Sequence, residues 1–191
     1  MKKTGEDRRA RITKLAIKES LVELMQVHPI SKISVTMLCA SAEINRSTFY
    51  SHYADPYDLL NAIQQEVITD IKNHITSIRF MEQLESTVPV IVQVLEYAKA
   101  RAALFRVLLS GNGDSSFQNE LMYLAQEKTI DELREDKRLD ESVTKYVELF
   151  ATSGVLSIIH KWLTDNCQDE TTKLARVINT LLSYGVHGLY Q

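Results

Sequence analysis

The sequence is poor in the residues that cross-link chains, bind metals or interrupt helices. Its 191 residues include 2 cysteines, 6 glycines and 3 prolines. Cys39 and Cys167 lie far apart and outside any C-x-x-C pattern, so neither a disulfide framework nor a zinc site is indicated. The N-terminus lacks a hydrophobic signal region, and no stretch approaches the roughly eighteen uninterrupted apolar residues of a membrane helix. We therefore expect a cytoplasmic protein that needs no metal or cofactor.

Motifs of the common enzyme classes are also missing. The sequence contains no Ser/His/Asp ordering, no H-E-x-x-H pair, no phosphate-binding loop and no glycine-rich dinucleotide turn. Its 5 histidines are dispersed along the chain. We therefore predict that the protein is not an enzyme, and we assign no catalytic residue.

Acidic and basic residues are unevenly distributed. The net charge of -3 and the isoelectric point near 6.0 argue against a protein that coats nucleic acid indiscriminately. Residues 1–60 nevertheless hold nine Lys and Arg against seven Asp and Glu, whereas the remainder is acidic. Most of this positive charge falls within the first eighteen residues, where a solvated helix face is the simplest explanation. A basic segment therefore opens the chain.

Long segments repeat apolar residues every three or four positions, and this spacing predicts an all-α fold. The His28-Pro29 pair should end the first helix, because a residue before proline is driven out of the α region. The clearest loop is SGNGD at 110–114, and residues 115–135 are expected to form a more exposed helix. The other predicted helices span residues 8–27, 34–42, 45–53, 55–78, 89–109, 141–166 and 170–190.

Capping residues mark three helix starts in the first third of the chain. Ser34 and Asn45 are of the types preferred at the N-cap position. In DPYDLL, Asp55 can cap a long helix that has Pro56 at its first position and Asp58 near the positive end of its dipole. Two short helices joined by a tight turn, followed by a long helix, are therefore predicted.

The stretch INRSTFYSHY at 44–53 places polar and aromatic residues on opposite sides of a short helix. At about 100° per residue, Phe49 and Tyr53 should point inward, while Ser47 and Ser51 should point outward. Arg46 falls in the first turn, from which it could read guanine through paired bonds to O6 and N7. This outward face suits the edge of a nucleic acid, although many helical proteins contain two short helices around a buried aromatic residue.

Residues 34–60, SVTMLCASAEINRSTFYSHYADPYDLL, closely resemble the helix-turn-helix of TetR/AcrR-type transcriptional regulators. The resemblance extends over about residues 8–60 and implies a dimeric, sequence-specific DNA-binding regulator that acts as an effector-responsive repressor. It also implies an N-terminal three-helix helix-turn-helix domain at 1–54 and a larger helical body at 55–191 for dimerisation and effector binding. The matching positions, in order, are Ser34-Val35, Ala42, Ile44, Thr48-Phe49-Tyr50, His52-Tyr53 and Leu59-Leu60.

The resemblance also assigns DNA contacts position by position. Asn45 places a helix start near the phosphates. Two alternatives remain: His52 could satisfy a carbonyl at the end of its helix, and Arg46 could pair with Glu43. The implied base contacts are Arg46, Ser47 and Ser51, and the implied phosphate contacts are Ser34, Thr36, Thr48, Tyr50 and His52.

Three positions depart from the family's pattern. Glu43 stands in the turn where glycine is usual, and a left-handed backbone there would cost a non-glycine residue on the order of 1 kcal/mol. Glu43 also places a negative charge close to the surface that is expected to face DNA. Ser47 stands where glycine is frequent, and Pro56 stands where many members have a phosphate-binding lysine. These changes put the affinity for DNA in doubt rather than the mode of docking.

Helix-turn-helix proteins usually bind two half-sites about 34–36 Å apart, so a chain of this size predicts a homodimer on a palindromic operator in double-stranded DNA. We place the dimer surface on the last two predicted helices, which are apolar over a wide arc. Gly154, Gly185 and Gly188 would allow close approach of helices there. The alternative is that these apolar residues simply complete the core.

In this family an effector typically binds among the middle helices and moves the long linking helix. Residues 154–166 faintly resemble a subgroup that includes regulators of dihydroxyacetone kinase genes, some of which bind a protein, so the effector is a small molecule or a protein. The alternative function is a transcriptional coactivator or adaptor whose C-terminal body binds a protein partner. Candidate pocket residues, each of which could instead belong to the core, are His74, Tyr97, Phe105, Tyr123, Phe150 and Trp162.

Overall fold

The computed structural model describes residues 3–76, 87–110, 116–121, 123–124 and 140–187, and every regular element within them is helical. The chain divides into two compact units. The N-terminal unit comprises Met1–Val67 and Val107–Ser115, and the C-terminal unit comprises Ile68–Arg106 and Ser116–Gln191. The predicted all-α class, with an N-terminal helix-turn-helix and a larger helical body, is confirmed. The predicted domain boundary after residue 54 stays a prediction.

Three helices open the N-terminal unit: α1 (Lys3–Met25), α2 (Val35–Ser41) and α3 (Arg46–Tyr50). A turn of 3-10 helix, Ile30–Lys32, follows Pro29 and precedes α2. Helix α2 packs against both α1 and α3. Fully buried side chains from all three helices meet in one core, namely Ile17, Leu21, Met25, Leu38 and Phe49. The helix-turn-helix therefore rests on α1.

Helix α4 (Pro56–Thr76) begins at the residue that the DPYDLL motif predicts. The Asp55 carboxylate accepts the Asp58 amide over 2.8 Å, and the Asp58 carboxylate accepts the Ala54 amide over 2.9 Å. These two bonds satisfy amides at a helix start that would otherwise lack partners. The predicted end near residue 78 lies outside the described residues.

Helices α5 (Thr87–Ala100) and α6 (Ala102–Leu109) replace the single helix predicted at 89–109, so that prediction is wrong. The break falls at Arg101, whose amide donates to the Ala98 carbonyl three residues back, a tighter turn than that of an α-helix. The Arg101 guanidinium carbon lies 4.1 Å from the centre of the Tyr97 ring. The break therefore comes with a contact between side chains four residues apart, and neither glycine nor proline marks it.

Helices α7 (Glu141–Thr164) and α8 (Thr171–His187) end the described chain and pack against each other, and α8 also packs extensively against α5. Both begin within one residue of their predicted starts, and α7 ends two residues before its predicted end, whereas the predicted end of α8 near residue 190 lies outside the described residues. The turn between them contains Asn166 and Cys167, both with positive φ, and it is closed by a bond from the Cys167 amide to the Trp162 carbonyl over 2.9 Å.

The segment predicted as an exposed helix at 115–135 is helical at 116–121 and 123–124. Phe117 has no exposed surface and Leu124 is buried, so the expectation of exposure is wrong at these positions. The remainder of that segment, and residues 111–114 of the predicted loop, lie outside the described residues. None of the helices in the described ranges has both the length and the apolar character needed to cross a membrane.

Candidate nucleic-acid interface

The turn between α2 and α3 has the left-handed geometry that usually favours glycine. Ala42 is the C-cap of α2, and Glu43 follows with a φ of 52°. The Ile44 amide donates to the Cys39 carbonyl over 3.0 Å, the bond that closes a Schellman turn. Glu43 is exposed, so its carboxylate stays in solvent while its backbone carries a strain of about 1 kcal/mol.

The inner side of α3 consists of aromatic rings, as predicted. Phe49 has no exposed surface, and Tyr53 is 7% exposed. The Phe49 ring lies 6.0 Å from the Tyr53 ring and meets the Tyr50 ring edge-on at 5.7 Å. Burial raises the pKa of the Tyr53 phenol, and the charges of Glu66 and Asp58 raise it further. A neutral, packed core therefore holds α3 in place.

The outer side of α3 is polar: Arg46, Ser47, Tyr50 and Ser51 are exposed. The Ser51 hydroxyl donates to the Thr48 carbonyl over 2.7 Å. A hydroxyl held in this way presents its lone pairs to its surroundings, and it must rotate before it can donate to a phosphate or a base.

The side-chain oxygen of Asn45 organises the first turn of α3. It caps the helix by accepting the Thr48 amide over 2.8 Å, as predicted for this residue. The same oxygen accepts the hydroxyls of Ser47 over 2.6 Å and of Thr48 over 2.9 Å. Because both hydroxyls donate to Asn45, their lone pairs are the groups available to an amino group on a base edge.

The start of α2 contributes the second part of this surface. The Ser34 hydroxyl oxygen caps α2 by accepting the Met37 amide over 3.3 Å, and both Ser34 and Thr36 are exposed. Arg46 Nη2 donates to Thr36 Oγ1 over 2.6 Å. The sequence allowed Arg46 to pair with Glu43. In the described part of the chain, Arg46 is bonded to Thr36 instead.

His52 lies just beyond α3 and is half-buried, with its ring 6.4 Å from the ring of Tyr53. Its side chain therefore has one side on the core and one side toward solvent. The structure places every predicted DNA-contact residue on α2, on α3 or in the residues that flank them; whether they contact DNA stays a prediction. The set is Ser34, Thr36, Asn45, Arg46, Ser47, Thr48, Tyr50, Ser51 and His52.

In the C-terminal unit, Tyr97 lies at the centre of a polar and aromatic cluster. Its hydroxyl donates to Asp70 Oδ2 over 2.8 Å, and Arg101 covers one face of its ring. The Phe105 ring meets the Tyr97 ring edge-on at 5.8 Å and lies 6.5 Å from the Phe117 ring. One tyrosine therefore joins α4, α5 and α6.

The other candidate pocket residues lie in different environments. Trp162 is buried at the end of α7, where its indole N–H donates to the Asp169 carbonyl over 2.9 Å. Tyr123 and Phe150 are largely exposed. The side chain of His74 lies outside the described residues. Tyr97 and Phe105 are thus the candidates in direct contact with each other, and a role in effector binding stays a prediction for all six.

Helices α7 and α8 expose a large apolar surface. Tyr146 and Phe150 are each 75% exposed on α7, and Tyr184 is 72% exposed on α8. The sequence interpretation did not single out Tyr146 or Tyr184; the signal that identifies them is their spacing of four residues from Phe150 and three from Leu181. The other large apolar residues exposed on these helices are Val143, Leu149, Val177 and Leu181.

Among the residues whose placement the structure gives, no group of three or more His, Cys, Asp or Glu side chains could hold a metal ion. Burial raises the pKa of the Cys167 thiol, although Lys99 and Arg106 act in the opposite direction. The thiol is therefore less acidic than usual, which disfavours the thiolate that a reactive cysteine requires.

A family model described as "Transcriptional regulator C-terminal region" matches residues 85–184. This match covers residues of the helical body and does not overlap the helix-turn-helix resemblance at 34–60. The two similarities are therefore independent of each other. No curated protein sequence matches the chain.

Solved structures of transcriptional regulators share the fold over nearly the whole chain. The TetR transcriptional regulator from Streptococcus agalactiae 2603V has a TM-score of 0.68 and 22% identity, over 94% of this chain and 98% of that one. The dihydroxyacetone kinase operon activator DhaS has a TM-score of 0.57 and 18% identity, over 92% and 96%. The fatty acid degradation regulator FadR from Bacillus halodurans has a TM-score of 0.67 and 14% identity, over 88% and 93%. At these identities the similarity shows the fold alone.

Proposed function

Because the chain belongs to the TetR family of transcriptional regulators, as the match over residues 85–184 shows, we propose that it is a homodimeric repressor that binds a palindromic operator. It acts in the cytoplasm, by binding rather than by catalysis, and an effector releases it from DNA. Residues 1–54 contact the operator, and residues 55–191 carry the dimer and effector surfaces.

One observation carries the proposal of DNA binding: α3 exposes Arg46 and its hydroxyls directly above a fully buried Phe49. A recognition helix must present its first residues to base edges while a packed core fixes its orientation. Arg46 supplies the fork of donors that matches guanine O6 and N7. The Ser34 and Thr36 hydroxyl oxygens accept bonds within the protein, so these hydroxyls, like that of Tyr50, can donate to phosphate oxygens, whereas the α3 hydroxyls must rotate first.

The exposed apolar surface of α7 and α8 supports the proposed dimer. A monomer rarely leaves a large contiguous apolar patch in water, whereas an interface between copies requires one. A Cβ atom built on Gly154 would meet nothing within 4 Å, so there is space for a helix of the second copy beside it. The dimer is needed because each copy supplies one recognition helix for one half-site.

The cluster around Tyr97 supports a route from an effector to DNA. Asp70 and Tyr97 both lie in the C-terminal unit, and Asp70 belongs to α4, whose first residues lie in the N-terminal unit. An effector that bound among the middle helices and changed the Tyr97–Asp70 contact would bias the position of α4. Tyr97 and Phe105 are the candidate residues that such a molecule would meet first.

Fluorescence anisotropy with the palindrome upstream of the chain's own gene tests the proposal. Wild-type protein should bind at nanomolar concentration, with an affinity that falls steeply as salt rises. Arg46→Ala should lose about 1–3 kcal/mol of binding free energy and relax the choice of one base pair in each half-site.

Lys99→Ala, which removes an exposed positive charge from α5 and not from the proposed dimer helices, is the control for loss of charge and should bind like wild type. Equal loss on every sequence would assign Arg46 to the DNA backbone instead of a base. Failure of wild-type protein to distinguish the palindrome from a scrambled duplex would contradict the proposed function.

A coactivator or adaptor is the second candidate. The fold is shared with DhaS, a protein described as an operon activator, and Glu43 brings negative charge to the turn before α3. In that case the body would bind a protein, and DNA binding would be weak without it. Transcription from the bound promoter, measured with and without the protein, separates repression from activation.

A further inference from the structure

The Arg46 side chain is held by a helix other than its own. Arg46 is the first residue of α3, and Thr36 lies in the first turn of α2. The bond of 2.6 Å from Arg46 Nη2 to Thr36 Oγ1 therefore crosses the turn between the two helices. It uses one N–H of the guanidinium and leaves the other donors of the fork for a further partner.

Both ends of this bond are attached to well-fixed backbone. Ser34 caps α2, Asn45 caps α3, and the Schellman bond from Ile44 to Cys39 closes the turn between them. Phe49 holds α3 on the core. Because the two backbone positions are fixed, the hydrogen bond selects among the many rotamers that an exposed arginine would otherwise occupy.

A side chain that is ordered in advance loses less entropy when it binds. The ordering of one rotamer-rich side chain at an interface corresponds to roughly 2- to 12-fold in affinity. This increase in affinity applies only to a base whose acceptor atoms match the ordered guanidinium. A base without those acceptors forms no hydrogen bond with it. Ordering Arg46 thus increases discrimination between bases, and not merely affinity.

We infer that Thr36 is a positioning residue, which fixes the guanidinium of Arg46 for reading a guanine. The inference rests on the proposed DNA-binding function. It gives Thr36 a different task from the phosphate contact that the family resemblance implies. A phosphate contact would strengthen binding to all sequences alike, whereas a positioning residue strengthens binding to the correct base.

The test compares Thr36→Val, which keeps the shape of the side chain but removes the hydroxyl, with Thr36→Ser, which keeps the hydroxyl. The probe is the operator duplex with each guanine of a half-site replaced in turn by 7-deazaguanine, which lacks the N7 acceptor. For the guanine to which wild type is most sensitive, the measured quantity is the Kd on the modified duplex divided by the Kd on the unmodified one. Thr36→Val should lower this ratio roughly 2- to 12-fold, and Thr36→Ser should restore it.

Three outcomes overturn the inference. If Thr36→Val raises both Kd values by the same factor, Thr36 is a phosphate contact. If wild type binds the operator but no 7-deazaguanine weakens it, Arg46 does not read a guanine, and operator binding stands without this mechanism. If wild type does not prefer the operator to a scrambled duplex, the proposed function fails and the inference fails with it.

A measurement on the protein alone checks the hydrogen bond itself. The NMR order parameter of the Arg46 Nε–H group should be higher in wild type and Thr36→Ser than in Thr36→Val. Circular dichroism should show the same helix content for all three proteins, because Thr36 is exposed. Equal order parameters in wild type and Thr36→Val would show that the bond does not hold the guanidinium, which overturns the inference.

Discussion

Helices α3 and α7 place their phenylalanine residues in opposite environments. In α3 the Phe49 ring has no exposed surface and polar side chains face outward, whereas in α7 Tyr146 and Phe150 are three-quarters exposed. The Phe49 ring is covered by its own chain, so the outward side of α3 can be polar. The same unit nevertheless exposes large apolar residues elsewhere, namely Ile12, Leu15 and Val27. The C-terminal unit leaves Tyr146 and Phe150 uncovered, and this exposed apolar surface is the basis of the proposed dimer.

Phe49→Ala should produce the largest effect, a loss of about 3–5 kcal/mol in the free energy of unfolding, because it leaves a cavity beneath α3. Urea denaturation followed by circular dichroism measures this loss. Tyr50→Ala, at the exposed neighbouring position of the same helix, is the matched control and should lose far less. If the two variants lost the same amount, α3 would not be packed on Phe49, and the contrast with α7 would disappear.

Phe150→Ala should have the opposite signature, with little change in the fold of one chain and weaker association between chains. Removal of a central aromatic residue should raise the Kd of the dimer by roughly 30-fold, or about 2 kcal/mol. Sedimentation velocity over a range of concentrations measures this Kd. Tyr123→Ala removes a similarly exposed ring outside α7 and α8 and should leave the Kd unchanged. An unchanged Kd for Phe150→Ala would place the dimer surface elsewhere.

Glu43→Gly should have the smallest effect and concerns the backbone that positions α3. Glycine relieves the left-handed strain but adds freedom to the unfolded chain, so a net gain of about 0.5–1 kcal/mol is expected in urea denaturation. Glu43→Gln keeps the backbone strain and removes the charge, and it should change stability by less than about 0.5 kcal/mol. If both variants were stabilised by the same amount, removal of the charge would explain the increase in stability, and the backbone strain would not.

The parts of the fold that the sequence predicts correctly are those set by local chemistry. Ser34, Asn45 and Asp55 accept amides of the helices that follow them, because an N-cap bond depends on residues two or three positions apart. The inward orientation of Phe49 follows from helical spacing alone. The inner and outer sides of α3, on which the candidate interface depends, could therefore be predicted from the sequence.

The features that the sequence did not predict depend on side-chain conformations that residue type and spacing do not specify. The break at Arg101 comes with its contact to the Tyr97 ring, and it has no glycine or proline to mark it. The bond between Arg46 and Thr36 joins two helices through side-chain rotamers, which periodicity does not specify. In α7, apolar residues occupy more than one face, so spacing alone does not tell which face is the core and which is exposed.

The Schellman turn, the Phe49 core and the bond between Arg46 and Thr36 make α2 and α3 a single block. A regulatory signal that displaces such a block moves all its contacting groups together and does not rearrange them individually. Under the proposed function, such a signal would change how long the protein stays on its operator and leave the preferred sequence the same. Release by an effector would then silence regulation at the existing targets without redirecting the protein to new ones.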